Sequence, residues 1–234
     1  MDSIYIIGDI HGSYKTFLAL LNKLPSDAKI CLTGDLIDRG PDSKKVLQYV
    51  IDNNIMSVMG NHDLAFAQYP LISSGPQKDR PKIFVDTYDS HWGIMDTFKN
   101  YLEPIFDKKT FLFHREYILN NFPLFYYFEF DNALPLVVSH SLILPYWKGP
   151  NGNYSYEAEF IQSSHIINHK TGKIKFKNFD FSNTKIFNII GHTAFKEVYF
   201  QDNFAVIDTA ATFGNKLTAY KYPEGDIIQQ KYVD

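Results

Sequence analysis

Ile4-Tyr5-Ile6-Ile7-Gly8-Asp9-Ile10-His11-Gly12 decides how the rest of the chain is read. Four apolar residues in a row make a short strand buried on both faces, and Gly8-Asp9 stops it. The figure returns twice. Ile30-Cys31-Leu32 runs into Gly34-Asp35, and a strand over Ile55 to Met59 runs into Gly60-Asn61. Between these strands lie two amphipathic helices. Ser13 is placed to cap the first, in which Phe17, Leu20, Leu21 and Leu24 share a face before Pro25. Pro41 and Asp42 suit the start of the second, whose stripe is Val46, Leu47, Val50 and Ile51. Strand and helix alternate, so the class is α/β, and in open α/β sheets sites form beyond the carboxyl ends of the strands.

Downstream the pattern loosens. Residues from about 64 to 122 read as a cap-like insertion, with helices around Thr97 to Ile105 and Phe111 to Leu119. Leu124–Phe130 and Leu134–Ser139 form a hairpin turning at Asp131-Asn132. Strands return at Ile186–Ile190, Val198–Phe200, Phe204–Ile207, Leu217–Tyr222 and Ile227–Tyr232. The 234 residues are 45% hydrophobic and 16% aromatic, enough to fill a large core and too apolar for a disordered chain. A net charge of −3 offers no basic field for nucleic acid. One cysteine, Cys31, excludes an internal disulfide and fits a reducing compartment. Met1-Asp2-Ser3 lacks the basic start of a signal peptide, and no apolar run is long enough to span a membrane. A cytoplasmic protein is expected, with neither nucleic acid nor membrane as partner.

The strand ends carry the chemistry. Gly8-Asp9-Ile10-His11-Gly12, Gly34-Asp35-Leu36-Ile37-Asp38-Arg39-Gly40, Gly60-Asn61-His62-Asp63, Ser139-His140 and Gly191-His192-Thr193 each place oxygen or imidazole donors after a strand. Taken singly, a Gly-Asp is an ordinary turn and a histidine closing an apolar run is an ordinary core residue. Three such ends in succession are not ordinary. They supply Asp9, His11, Asp35, Asn61, His140 and His192, a mixed carboxylate, amide and imidazole set suited to hard or borderline divalent ions. Six donors exceed the three of a catalytic zinc. They suit two ions sharing one carboxylate.

With these motifs, the sequence resembles the phosphoprotein phosphatase branch of the calcineurin-like metallophosphoesterases. The family pattern is Gly-Asp-x-His-Gly, Gly-Asp-x-x-Asp-Arg-Gly, Gly-Asn-His-Asp/Glu, a His-Ala-Gly segment and Gly-His-Thr. The likeness runs from Ile4 to about Ala219 and is nearest to the bacterial and phage-type members and the diadenosine tetraphosphatases. It implies a sandwich of two mixed β-sheets flanked by helices, as one domain over 1–234. It also implies that Asp9, His11 and Asp35 hold one ion, that Asp35 bridges, and that Asn61, His140 and His192 complete the second. Manganese is the first expectation, with Fe, Zn, Mg or Ni as alternatives. Two such ions clamp a phosphoryl oxygen and acidify a bridging water that attacks phosphorus in line. Arg39 offers a guanidinium fork to two phosphate oxygens. By resemblance, His62 protonates the leaving group, Asp38 orients that imidazole, and Arg39, Asn61 and His62 touch the substrate. The leading expectation is a serine/threonine protein phosphatase; the alternative is a symmetrical bis(5'-nucleosyl)-tetraphosphatase. A metal-free scaffold would have lost ligands, and none is missing.

Two departures stand out. Where the family has a small residue, this chain has Leu142 in His140-Ser141-Leu142-Ile143-Leu144-Pro145. The family also supplies a second phosphate-binding arginine between its late histidines. Here the arginines are Arg39, Arg80 and Arg115, so His165, His169 or Lys170 would have to stand in, with Lys170 and His169 foremost. His91 and His114 read as ordinary polar residues, and Cys31 as a small hydrophobe.

Overall fold

Short strands that are apolar on both faces need a covering layer on each side. In the computed structural model, two five-stranded sheets provide it for one another; residues 2–68, 93–155, 157–164, 166–168, 173–174, 176 and 178–234 are described. In chain order the strands are β1 (Ile4–Ile7), β2 (Ile30–Leu32), β3 (Met56–Ser57), β4 (Phe125–Phe128), β5 (Leu136–Ser139) and β6 (Ile167–Asn168). They continue as β7 (Lys173–Ile174), β8 (Phe187–Ile190), β9 (Tyr199–Gln201), β10 (Phe204–Val206), β11 (Lys216–Tyr222) and β12 (Asp226–Lys231). The helices are α1 (Tyr14–Leu21), α2 (Ser43–Asp52), α3 (Asn61–Gln68), α4 (Ile94–Leu102), α5 (Lys108–Asn121) and α6 (Ala158–Ser163).

The first sheet has the order β12-β11-β1-β2-β3 and the second β4-β5-β8-β10-β9. Both are mixed. β1, β2 and β3 run parallel, with β11 antiparallel to β1. β5, β8 and β10 run parallel, with β4 and β9 antiparallel at the edges. Alternation along each strand sorts its side chains into layers. Ile4 and Ile6 of β1, Leu136 and Val138 of β5, Ile189 of β8 and Ala205 of β10 fill the layer between the sheets. Tyr5 and Ile7 face α1, α2, α4 and α5 on the first sheet's outer side. Val137, Ile190, Phe204 and Val206 face the second sheet's own cover, which includes Ile161 of α6. The two-face burial expected from the apolar runs is therefore what the sheets show.

The stretch expected as an insertion contributes helices to the first sheet's cover. Rings of Phe66 (α3), Tyr101 (α4) and Phe111 (α5) meet with centroids 5.3–5.6 Å apart, knitting these helices together. Residues 69–92, His91 and Arg80 among them, lie outside the described residues. No helix among the described residues is long and apolar enough to cross a membrane.

One expectation is corrected. Ser13 does not cap α1: its hydroxyl is buried and finds no partner among the described residues. The cap comes instead from Asp234, whose carboxylate accepts from the backbone N–H of Lys15 (2.8 Å) and Thr16 (2.9 Å) and from the Thr16 hydroxyl. The exposed donors of the first turn need an acceptor, and a carboxylate at the positive end of the helix is the stronger one.

Candidate active site

Six parallel strands end at one place. Asp9, Asp35 and Asn61 follow β1, β2 and β3; His140, His192 and Asp208 follow β5, β8 and β10. The turns are tight. His11, Asp35, Asp38, Arg39, His192 and Ala210 all have positive φ between 46° and 70°, a region that costs a non-glycine residue about 1 kcal/mol or more. Only Asn54 and Asp202 share that conformation among other described non-glycine residues. Glycine is needed where backbones press on the carboxylates: a Cβ on Gly191 would overlap Asp9 Oδ1, and one on Gly60 would overlap Asp35 Oδ1.

The Asp35 carboxylate is the hub. Its Oδ2 lies 3.3 Å from His140 Nε2, 3.6 Å from His11 Nε2 and 3.9 Å from His62 Nε2. Two groups of donor atoms, each within 4.8 Å of one another, share it: His11, Asp35 and His62, and Asp35, His140 and His192. Asn61 joins the second group, its Oδ1 3.0 Å from His140 Nε2, and His192 Nδ1 is 3.1 Å from the same atom. Asp9 stands behind this layer, accepting from the Thr33 hydroxyl (2.9 Å) and the His192 N–H (2.9 Å). His62 thus completes the first group of three, while Asp9 braces its neighbours.

The imidazoles are aimed. His11 Nδ1 donates to the Ile37 carbonyl (2.8 Å) and His140 Nδ1 to the Thr33 carbonyl (2.7 Å), which turns both Nε2 atoms toward Asp35. His62 Nδ1 donates to Asp38 Oδ2 (2.7 Å), and Asp38 Oδ1 accepts from Thr97 of α4 (2.6 Å). A carbonyl or carboxylate behind each imidazole is the arrangement that fixes metal-ligating histidines. The donor set therefore fits two divalent cations sharing Asp35, and no soft thiolate competes.

Electrostatics point the same way. Burial, with Asp208 beside it, holds the Asp9 carboxyl well above the usual carboxylate range. Burial acts on Asp35 too, but the imidazoles, His140 first, outweigh it and hold that carboxyl well below the range. Burial opposes an imidazolium at His140, yet Asp35 outweighs it and lifts the ring to about 10. His11 is pushed well down by burial and by His62. Protons here neutralise a buried acid cluster, a task that cations take over when bound.

Arg39 lies across the front. Its Nη1 donates to His11 Nε2 (2.6 Å) and its Nη2 to His62 Nε2 (3.1 Å). It makes no ion pair with Asp38 or Asp42 among the described contacts; Asp42 pairs with Lys45. Thus Asp9, His11, Asp35, Asp38, Arg39, Asn61, His62, His140 and His192 all come together. Leu142 does not enter the site but is buried in the second sheet's outer cluster. His114 is a buried structural residue between the Tyr101 hydroxyl (2.7 Å) and Gln48 (3.0 Å). Arg115 is tied to the Ala67 carbonyl. His165, His169 and Lys170 lie outside the described residues.

Sequence reasoning gave no role to Asp63 or Asp208. Asp63 accepts from the N–H groups of Asp35, Leu36 and Gly60, lacing the second and third motifs together. Burial pushes its carboxyl up to about 7 and that of Asp208 up to about 6. Asp208 stands in a strand-end position, the signal that marked Asp9 and Asp35, whereas Asp63 lies in the first turn of α3.

Comparison with known proteins gives a consistent picture. The family described as calcineurin-like phosphoesterase matches residues 3–221. A symmetrical bis(5'-nucleosyl)-tetraphosphatase of Photorhabdus laumondii is 35% identical over 150 residues, 62% of this chain and 46% of that protein. The chain spans about half the length of the curated relatives it matches. Among solved structures, a protein provisionally named a diadenosine tetraphosphatase aligns with a TM-score of 0.68 at 18% identity, covering 100% of this chain and 95% of that one. A protein serine/threonine phosphatase of Saccharomyces cerevisiae aligns at 0.53 and 14% identity, covering 100% and 80%. These two likenesses establish the two-sheet fold.

Proposed function

The chain belongs to the calcineurin-like phosphoesterase family, and on that premise we propose that it hydrolyses dinucleoside polyphosphates symmetrically, adding water across the central anhydride to release two nucleoside diphosphates. The protein-phosphatase expectation yields to its alternative. The observation that carries this reading is that the curated relatives, at 32–35% identity, bear the name symmetrical bis(5'-nucleosyl)-tetraphosphatase.

In this reading Asp9, brought forward from behind the donor layer, would join His11 and Asp35 in holding one divalent cation, and Asp35, Asn61, His140 and His192 would hold the other. Bound there, the pair supplies Lewis-acid polarisation of a phosphoryl oxygen and a more acidic water. The protein's own groups do the rest. Arg39 presents two parallel N–H donors to the equatorial oxygens, where charge builds in the transition state. His62, held by Asp38 through Nδ1, keeps Nε2 for proton transfer to the departing oxygen. That transfer matters less for an anhydride, whose leaving phosphate is a weak base, than for a serine ester, which departs as an alkoxide.

The test is a competition. Manganese-loaded protein is given diadenosine tetraphosphate and a phosphoserine peptide together, and products are separated by chromatography. Accumulation of nucleoside diphosphate is expected; release of phosphate from the peptide alone overturns the reading. A His62→Asn variant should slow any ester hydrolysis by about 10²-fold or more and the anhydride by less.

A further inference from the structure

Phe213 is 69% exposed, among the highest values for a large apolar side chain in the described residues, and it stands beside the most buried chemistry of the molecule. It closes a short 3-10 turn, Ala211–Phe213, that follows Asp208. The turn is built rather than loose. Ala210 (φ 58°) and Gly214 (φ 82°) bracket it in the left-handed region. Asp208 Oδ1 accepts from the Ala210 N–H (2.9 Å), and Asn215 Nδ2 donates to the carbonyls of Lys196 (2.8 Å) and Thr209 (2.9 Å). A fixed turn therefore holds an aromatic ring in water, against the hydrophobic cost of leaving it there. On one side of the ring, Arg39 Cζ lies 5.4 Å from the centroid. The Arg39 Nε is buried and has no hydrogen-bond partner among the described residues. The ring's remaining surface is open.

We propose that Phe213 is a specificity-determining residue: its open face stacks on the nucleobase of a nucleoside polyphosphate whose phosphates are gripped by Arg39. The proposal rests on the reading of the site given above and deepens it by naming the part of the substrate that is recognised. A planar base is the chemistry that fits. It stacks on an aromatic face whatever its sequence of ring atoms, and the guanidinium on the far face completes a π-cation-type pile. A phosphoserine chain offers no such plane.

The experiment measures binding, not turnover. Adenosine diphosphate and inorganic pyrophosphate are titrated calorimetrically into manganese-loaded wild type, Phe213→Ala and Phe213→Trp. Exposure of Phe213 means that both variants should melt with the wild type. The expected result is a weakening of the nucleotide by about tenfold in Phe213→Ala, no change for pyrophosphate, and recovery in Phe213→Trp. In Phe213→Trp, nucleotide should also quench the new indole fluorescence while pyrophosphate does not. Equal weakening of both ligands would reduce Phe213 to a brace for Arg39 and overturn the proposal, as would no weakening of either. A protein that binds the nucleotide through Phe213 yet cleaves only phosphopeptide would overturn the substrate assignment and leave the stacking intact, so the two failures are told apart.

Discussion

β1, β2 and β3 in one sheet and β5, β8 and β10 in the other are parallel trios pointing their carboxyl ends at the same cluster, yet they furnish it unequally. The first trio delivers Asp9, His11, Asp35, Asp38 and Arg39 on long glycine-bounded turns, and Asn61 and His62 at the start of α3. The second delivers single residues, His140 and His192, with Asp208 behind. Asp35 belongs to both donor groups; His140 and His192 belong to one. The first sheet thus builds the centre, and the second closes it from one side. Each trio also has its own polar tie: Asp63 in the first, and in the second Asn188, which accepts from Ile143 N–H and donates to Val137 O and Ser139 Oγ.

The largest effect should come from removing the shared donor. Asp35→Asn is expected to abolish uptake of both ions and cut hydrolysis by about 10³-fold or more, whereas His192→Ala should spare one ion. Metal analysis after manganese loading and desalting reads the difference; two ions retained in Asp35→Asn would erase the inequality between the sheets. The polar ties sharpen the comparison next. Asp63→Ala strands three buried N–H groups and should cost about 3–5 kcal/mol in urea unfolding, against about 2–4 kcal/mol for Asn188→Ala. Reversal of that order would mean that the second sheet is the more tightly bound.

A third contrast is in acid. His114 lies in the first sheet's helical cover, and burial, with Lys44 nearby, pushes its pKa down to about 4. The unfolded chain takes up this proton near pH 6.5 and the folded chain only near pH 4, so stability falls as pH drops through that window. The loss should reach at most about 3 kcal/mol, and His114→Gln should flatten the slope of unfolding free energy against pH. A slope unchanged by His114→Gln would move the acid sensitivity elsewhere. The smallest effect is expected at α1. Asp234→Ala removes its cap and should cost about 1 kcal/mol by denaturant titration, with Ser13→Ala costing less.

Legibility in the sequence followed the same divide. Around β1 to β3, apolar run, glycine and acid adjoin in the chain, so strand, turn and donor could be read together. His140 and His192 were found because each closes an apolar run. Asn188 was not, although a lone polar residue within Phe187-Asn188-Ile189-Ile190 is a visible anomaly in a buried strand. The cap of α1 was misread because the local rule names Ser13, while the acceptor lies 218 positions from Thr16. Such partnerships depend on how β12 brings Asp234 back to α1, which no local pattern encodes. Phe213 carried no signal at all. Its meaning comes from standing next to Arg39, and that proximity exists only in the folded chain.

The apolar layer between the sheets has a second use. Its thickness sets how far His140 and His192 stand from Asp35, since the two sides of the cluster ride on different sheets. Ala205, the smallest fully buried side chain in the layer it shares with Ile6, Val138 and Ile189, acts as a shim. Widening it would open the jaws of the site like a vice backed off by a fraction of a turn, without touching a single reacting group. Tuning the core is thus a way to tune the gap between the two halves of the donor cluster.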